Sequence, residues 1–306
     1  MRPSAVRARA ARRVPRPPAS GSARGRLAGV VIMTGSGLSN QFGAAVGALA
    51  FPVLGPVGVV AVRQYVAAAV LLAVGRPRLR EFTWGQWWPV LLLAVVFGTM
   101  NLSLYTAVDR VGLGLAVTLE FLGPLAIALA AARRRLDACC ALIAAAGVLV
   151  LMRPRPSADH LGLGLGLLAA CCWASYILLN RTVGRRLPGA QGSGAAAAVS
   201  ALMFLPVGVL VVLHRPPTAG ALGCAVVAGV LSSAVPYLAD LFTLRRVPAQ
   251  TFGLFMSVNP LLAAVVGWMV LGQGLGVAEW AGIGAIVIAN VLSLAVPRGR
   301  ERTETI

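Results

Sequence analysis

Apolar residues in this chain run in blocks of about 18–24, the length an α-helix needs to cross a hydrocarbon layer of roughly 30 Å. The blocks fall at 28–49, 56–75, 88–107, 111–131, 136–152, 161–180, 195–213, 219–241, 249–271 and 277–296. They predict an all-α membrane protein of ten transmembrane helices. The fifth block is short and carries Gly147 inside it. Links between blocks are short throughout. Consecutive helices therefore run antiparallel, and little chain is left for a soluble domain.

Composition agrees with this pattern. The 306 residues are 58% hydrophobic and 12% charged, against about 45–50% and 25% in soluble domains. The mean hydropathy is +0.83. The net charge of +18 does not point to nucleic acid, because the basic residues sit in short clusters between apolar blocks. All 27 basic residues are Arg, which reflects base composition rather than mechanism.

Those clusters give an orientation. With the N-terminus inside, 22 Arg fall on cytoplasmic segments, including Arg76, Arg78 and Arg80, Arg133 to Arg135, and Arg181, Arg185 and Arg186. Four fall on outer links: Arg110, Arg153, Arg155 and Arg215. Cytoplasmic loops carry the excess of Arg and Lys, so both termini are predicted cytoplasmic in a multi-pass protein of the cell membrane. Residues 1–26 read as a disordered basic cytoplasmic tail able to touch anionic lipid, and 298–306 as a second cytoplasmic tail. Arg12-Arg13 is not followed by a short apolar core with a small-residue cleavage site.

The two halves resemble each other. Aligning Pro124 with Pro260 also aligns Arg110 with Arg246, Val111 with Val247, Leu125 with Leu261 and Ala128 with Ala264. Residues 27–153 and 161–297 are thus read as two five-helix repeats. Five spans per repeat makes them inverted, and such folds place their site near the midplane at the repeat interface. Pro124, Pro260, Pro206 and Pro236 lie within spans, where each frees a backbone carbonyl that something else must satisfy. Each is either a packing kink or part of a site. Gly43-x-x-x-Gly47 and Gly162-x-x-x-Gly166 read as close helix contacts.

The stretch Val111-Gly-Leu-Gly-Leu-Ala-Val-Thr-Leu-Glu-Phe-Leu-Gly-Pro-Leu-Ala-Ile-Ala-Leu129 resembles the fourth helix of the threonine/homoserine exporters, in the EamA branch of the drug/metabolite transporter superfamily. Gln41-Phe-Gly-Ala-Ala45, Cys172-Trp-Ala-Ser-Tyr-Ile177, Ser233-Ala-Val-Pro-Tyr237 and Thr251-Phe-Gly-Leu-Phe-Met-Ser257 extend the likeness over about residues 28–296. It implies ten helices, export of small amino acids or related metabolites, and coupling to the proton gradient. Two positions depart from the family pattern. Ser257-Val-Asn-Pro260 stands where Ser-x-Glu-Pro is usual, and Leu271-Gly-Gln273 where Leu-Gly-Glu is usual. Both expected acids are amides.

Few ionisable residues lie deep inside spans. Each costs about 2.5–3.5 kcal/mol on insertion scales, which makes it a candidate for function. Arg63 is roughly 10 Å below the outer end of the second span, and Glu120 roughly 13 Å below that of the fourth, at about 1.5 Å per residue. Two readings stand open. One is a structural ion pair, or an Arg held by helix-end carbonyls. In the other, Glu120 faces a wet cavity and exchanges a proton for substrate. Glu120 and Arg63 then meet the ammonium and carboxylate of a zwitterionic amino acid, and competition of proton and ammonium for Glu120 produces antiport.

Gln41, Asn101, Tyr105, Trp173, Tyr176, Tyr237, Ser257 and Asn259 are further cavity candidates, since amides and aromatic edges orient polar ligands in apolar pockets. Helix–helix hydrogen bonding or interfacial anchoring explains any one of them equally simply. Asn259, next to Pro260, can bond a freed carbonyl or bind substrate. Asp240 reads as an interfacial partner of Arg245 and Arg246 in preference to a gate, Asp109-Arg110 as an outer link pair, and His160 and His214 as solvated span ends. The five cysteines read as packing residues, and Asn180-Arg-Thr182 as a sequon on the cytoplasmic side, where it is not used.

No metal site, phosphate loop or nucleophile–base set is predicted, no cofactor is implied, and the chain is not read as an enzyme. The partners implied are a small-molecule substrate and the lipid bilayer, with no nucleic acid; a homodimer stays open. A broad drug or metabolite exporter, or an importer of the same fold, is the alternative within carriers. A channel or an intramembrane enzyme is the alternative from other classes.

Overall fold

The computed structural model describes residues 23–111, 113–132, 134–152, 158–214, 216–244, 252, 255–259, 261–262 and 276–295. The tails 1–22 and 296–306, Arg133, Pro260, Gln273, Arg245 and Arg246 lie outside them, as does most of the ninth predicted span. Every other predicted span is helical. The helices are α1 (Ala23–Ala48), α2 (Phe51–Gly75), α3 (Trp84–Val111), α4 (Leu113–Ala130), α5 (Arg135–Met152), α6 (His160–Arg186), α7 (Gln191–Met203), α8 (Leu205–His214), α9 (Ala219–Gly229), α10 (Val235–Leu244) and α11 (Val277–Ala295). No strand occurs among the described residues.

Phe51–Gly75, Trp84–Ala107, His160–Arg186 and Ala219–Thr243 are each long and apolar enough to cross a membrane. The seventh predicted span is not one straight helix. It is the pair α7 and α8, bent by 48° and counted as a fifth crossing if taken together. Pro206, in the first turn of α8, has no N–H to continue the ladder from α7, so the chain breaks just before it. The eighth span runs from α9 into α10 through one π-helical segment, Val230–Ala234, directly before Pro236.

Local signals set several ends. Asp159 caps α6 by accepting the Gly162 N–H at 2.8 Å, and Thr218 caps α9 by accepting the Ala221 N–H at 3.3 Å. Arg185 and Arg186 close α6, where cations oppose the helix dipole favourably. Near the start of α2, Gly55 has φ 67°, a conformation open to glycine, and sets the first turn off at the Gly55-Pro56 step.

The largest buried cluster joins α2, α3, α6, α7, α10 and the Phe252–Met256 stretch through residues such as Leu71, Leu93, Phe97, Ile177, Ala196 and Phe252. The other faces carry exposed Leu, Val and Ile, for example Leu142, Leu149, Leu213, Ile288 and Val291. That pattern suits a surface solvated by lipid tails. α3 packs on α6, α2 on α7, α5 on α11, and α1 on the α9–α10 unit. The predicted glycine contacts occur. A Cβ on Gly43 would lie 2.3 Å from Ser232 Oγ, and one on Gly166 would lie 2.8 Å from Leu119 Cδ1.

Candidate functional site

Among the described residues, the buried charged side chains are Arg63, Glu120 and Asp240, at 6%, 8% and 9% exposure. Their surroundings follow from the helices that carry them. α2 aims Arg63 at the π-helical segment, where Pro236 has disturbed the backbone ladder. Pro236 has no N–H for the carbonyls one turn back. Ser39 Oγ donates instead to Leu231 O at 2.7 Å, and Arg63 Nη2 to Ser232 O at 3.0 Å. Arg63 Nε donates to Ser233 Oγ at 3.2 Å, and Nη1 donates to the Tyr105 hydroxyl. The guanidinium carbon stands 5.3 Å from the Tyr105 ring centroid, adding a cation–π contact.

This settles one open point. Arg63 and Glu120 form no ion pair; the guanidinium is held by a carbonyl and two hydroxyls. Arg63 is nonetheless the charge whose field reaches Glu120. Glu120 lies on α4, beside the face of α6 that carries Cys172. Gly123 lets α4 approach α6: a Cβ there would lie 2.2 Å from Ala170 O.

A second cluster continues from the first. Asn101 Nδ2 donates to Phe97 O at 2.8 Å and to the Tyr237 hydroxyl at 3.0 Å. Phe97 and Tyr237 stack, 4.3 Å between centroids and 3° between planes, and Tyr176 tilts against both. The Tyr176 hydroxyl donates to Asp240 Oδ2 at 2.8 Å, and Asn180 Nδ2 donates to the Tyr176 oxygen at 3.3 Å. Asp240 is therefore buried against α6; its expected partners Arg245 and Arg246 lie outside the described residues. The sequence favoured an interfacial role over a gate because the position of Asp240 near the end of a span suggested exposure. The available signal was its helical spacing from Pro236 and Tyr237, both on the inward face. Asn180 was likewise passed over as part of an unused sequon, yet it is buried.

The remaining candidates divide. Gln41 Nε2 of α1 donates to the backbone oxygen of Asn259 at 3.2 Å, and Asn259 Nδ2 donates to Met256 Sδ at 3.3 Å. Ser257 is fully buried, and Trp173 is partly buried against the main core. Pro124 lies inside α4 without ending it. At the predicted outer side, Arg110 pairs with Asp159 through Nη2–Oδ2 at 3.0 Å and Nε–Oδ1 at 3.2 Å, which ties the end of α3 to the start of α6. The expected pairing of Arg110 with Asp109 rests on a side chain outside the described residues. Hydrogen bonding to the Gly162 N–H and then to Arg110 holds the Asp159 carboxyl below the usual range. A groove of about 340 Å³ beside Gly55 and Pro56 is lined largely by apolar groups and holds none of the candidates.

The threonine/homoserine exporter RhtA of Escherichia coli strain K12 is 34% identical to this chain over 272 residues, 88% of the chain and 92% of the relative. This chain belongs to the EamA-like transporter family. The family model itself matches residues 160–295, from α6 through α11. RhtA of Salmonella typhimurium strain LT2 is 34% identical over 256 residues, 83% of this chain and 86% of the relative. An uncharacterized transporter of Bacillus subtilis strain 168, YwfM, is 26% identical over 248 residues, 78% of this chain and 83% of the relative. A solved crystal structure superposes with a TM-score of 0.70 at 19% identity, covering 89% of this chain and 99% of that one, which supports the fold alone. The family resemblance read from Glu120-Phe-Leu-Gly-Pro124 and its companions is borne out. The buried polar cluster of this EamA-like chain draws on α2, α3, α6 and α10, with Glu120 on α4 alongside.

Proposed function

We propose that the chain is a secondary transporter of the cell membrane that exports a small amino acid or related metabolite, of the kind threonine and homoserine represent, in exchange for protons. The similarity to named threonine/homoserine exporters over 88% of the chain carries this reading. The chemistry of the interior fits it. A zwitterion needs an anion for its ammonium and a cation for its carboxylate, and Glu120 and Arg63 are buried groups of those two kinds. For Arg63 to bind a carboxylate, it must exchange Tyr105 or Ser233 for substrate while keeping Ser232 O. Its planar fork of five donors allows that division.

In this reading ten spans form two inverted repeats, 27–153 and 161–297, with both tails cytoplasmic. Exchange of the repeats carries α3 against α6 into the eighth span against the first, and returns α2 against α7 and α5 against α11 to themselves. All these pairings occur. The Pro124–Pro260 alignment also makes Asn101 and Tyr237 equivalent, 136 positions apart, and the two are bonded to each other. Contact between equivalent residues is what a two-fold axis passing between them would give.

The test is counterflow in proteoliposomes with a panel of amino acids, with and without a pH gradient. Accumulation of threonine or homoserine that responds to the gradient is expected. A response only to hydrophobic cations would replace this reading with that of a drug exporter. The amides at Asn259 and Gln273 favour including uncommon metabolites in the panel.

A further inference from the structure

Glu120 has a counterpart that the family resemblance did not point to. Asp240 is as buried as Glu120 and, like it, forms no ion pair among the described residues. Its hydrogen bond comes from the Tyr176 hydroxyl, which can donate to a carboxylate or accept from a carboxylic acid by rotating one O–H bond. Asn180 steadies the Tyr176 oxygen, and Ser193 Oγ of α7 lies 3.5 Å from Asn180 Oδ1. A purely structural carboxylate in a membrane span is ordinarily paired with a cation or several fixed donors. Asp240 has neither among the described residues.

The two carboxyls lie along one stripe of α6. Leu119 of α4 meets Gly166 and Gly123 meets Ala170, so Glu120 stands beside α6 between those levels, and Tyr176, which holds Asp240, is about 9–15 Å further along α6. With the orientation proposed above, α6 runs from the outer to the cytoplasmic side, so Asp240 is the more cytoplasmic of the two. Among the described residues, the ionisable groups facing it are few. α6 supplies Tyr176, and α10 itself supplies Tyr237. α2 brings Arg63, whose field reaches Tyr237. The π-helical segment and α7 contain no ionisable residue, and α1 contains none from Leu27 to Ala48.

We propose that Asp240, held by Tyr176, is a second proton-binding site in series with Glu120, on the cytoplasmic route by which the exchanged proton leaves. When a substrate ammonium takes its place at Glu120, the proton passes to the Asp240 carboxylate. One carboxyl O–H bond breaks and another forms, and each water between the two carboxyls accepts one proton and gives one up. This rests on the proton-antiport reading above.

The experiment compares wild type, Asp240→Asn and Tyr176→Phe in proteoliposomes, using labelled threonine in two assays: counterflow at equal pH, and accumulation driven by a pH gradient. Counterflow is substrate exchange and needs no net proton movement. Asp240→Asn is expected to retain counterflow and to lose gradient-driven accumulation. Tyr176→Phe is expected to shift the pH midpoint of accumulation. A gradient response in Asp240→Asn equal to wild type overturns the proposal and leaves the antiport reading standing. Loss of both activities in a monodisperse Asp240→Asn protein also overturns it, in favour of a direct role in substrate binding. If Asp240→Asn does not fold, Tyr176→Phe decides: a shifted midpoint supports the proposal and an unshifted one overturns it. Wild-type counterflow without any gradient response removes the antiport reading and this proposal together.

Discussion

Arg63 donates to the carbonyl oxygen of Ser232, four residues before Pro236, at 3.0 Å. A proline on one helix and an arginine on another thus form one device, because the proline withholds the N–H that a regular helix would aim at that carbonyl. The relationship is testable by a double-mutant cycle. Arg63→Ala leaves buried acceptors unpaired, at a cost of about 1–3 kcal/mol for each that water cannot reach. Pro236→Ala restores an N–H to the turn. Arg63→Ala should therefore cost less stability in the Pro236→Ala background than alone, with a coupling of about 0.5–3 kcal/mol, the range seen for residues in direct contact. Thermal unfolding in detergent measures it. Additive losses would mean that Arg63 does not serve the freed carbonyl.

Glu120→Gln separates shape from charge at the fourth helix. The amide fills the same volume but neither releases a proton nor attracts an ammonium as an anion does. The variant should fold and elute like wild type, yet lose pH-dependent threonine exchange in proteoliposomes. A Glu120→Gln protein that exchanges at the wild-type rate, with the wild-type pH profile, would remove Glu120 from the mechanism.

Much of the architecture was legible in the chain because apolar length is a strong signal. Segments such as 56–75 and 161–180 coincide with α2 and α6. The bend at Phe204 and the π-helical segment were not legible. Pro206 and Pro236 announced a disturbed ladder, but whether it is met by a break or by a wider turn depends on which neighbour supplies a donor. The site was half legible for the same reason. Burial made Glu120 and Arg63 conspicuous, since both sit far from a span end. Asp240 lies near one, so only the packing of α10 against α6 reveals that it faces Tyr176. Of the open readings for Arg63 and Glu120, the ion pair does not form, because equal depth on two helices does not fix the direction in which a long side chain points.

Two glycines on different surfaces give a packing test. A Cβ on Gly123 would lie 2.2 Å from the backbone oxygen of Ala170, whereas one on Gly164 meets nothing within 4 Å. Backbone cannot swing aside as a side-chain tip can. Gly123→Ala must therefore push α4 from α6, at about 1–3 kcal/mol by analogy with overpacked cores. Because Glu120 is on α4, exchange activity should fall with it. Gly164→Ala should leave both melting temperature and exchange unchanged. Equal behaviour of the two variants would mean that α4 and α6 do not approach this closely in the membrane.

The last prediction concerns pH at the C-terminal end of α3. Asp159 has two tasks: it caps α6 through the Gly162 N–H, and it pairs with Arg110. Both favour the carboxylate, so its proton affinity is lower in the folded protein than in the unfolded chain. Folding stability linked to such a group is fully present above the ordinary Asp value and is lost as pH falls through the depressed folded value. At neutral pH, Asp159→Asn keeps an acceptor for Gly162 and loses the charge, while Asp159→Ala loses both. The order of melting temperature should therefore be wild type, then Asn, then Ala. The pair is solvent-exposed, so added salt should narrow the gap between wild type and Asn and leave the gap between Asn and Ala, which is a neutral capping bond, nearly unchanged. On acidification from pH ~4, near the ordinary Asp value, down through the depressed folded value, wild type should converge on Asn, since protonation removes the same charge. A wild-type protein that keeps its full advantage over Asn below that folded value would show that Asp159 is not the group being titrated.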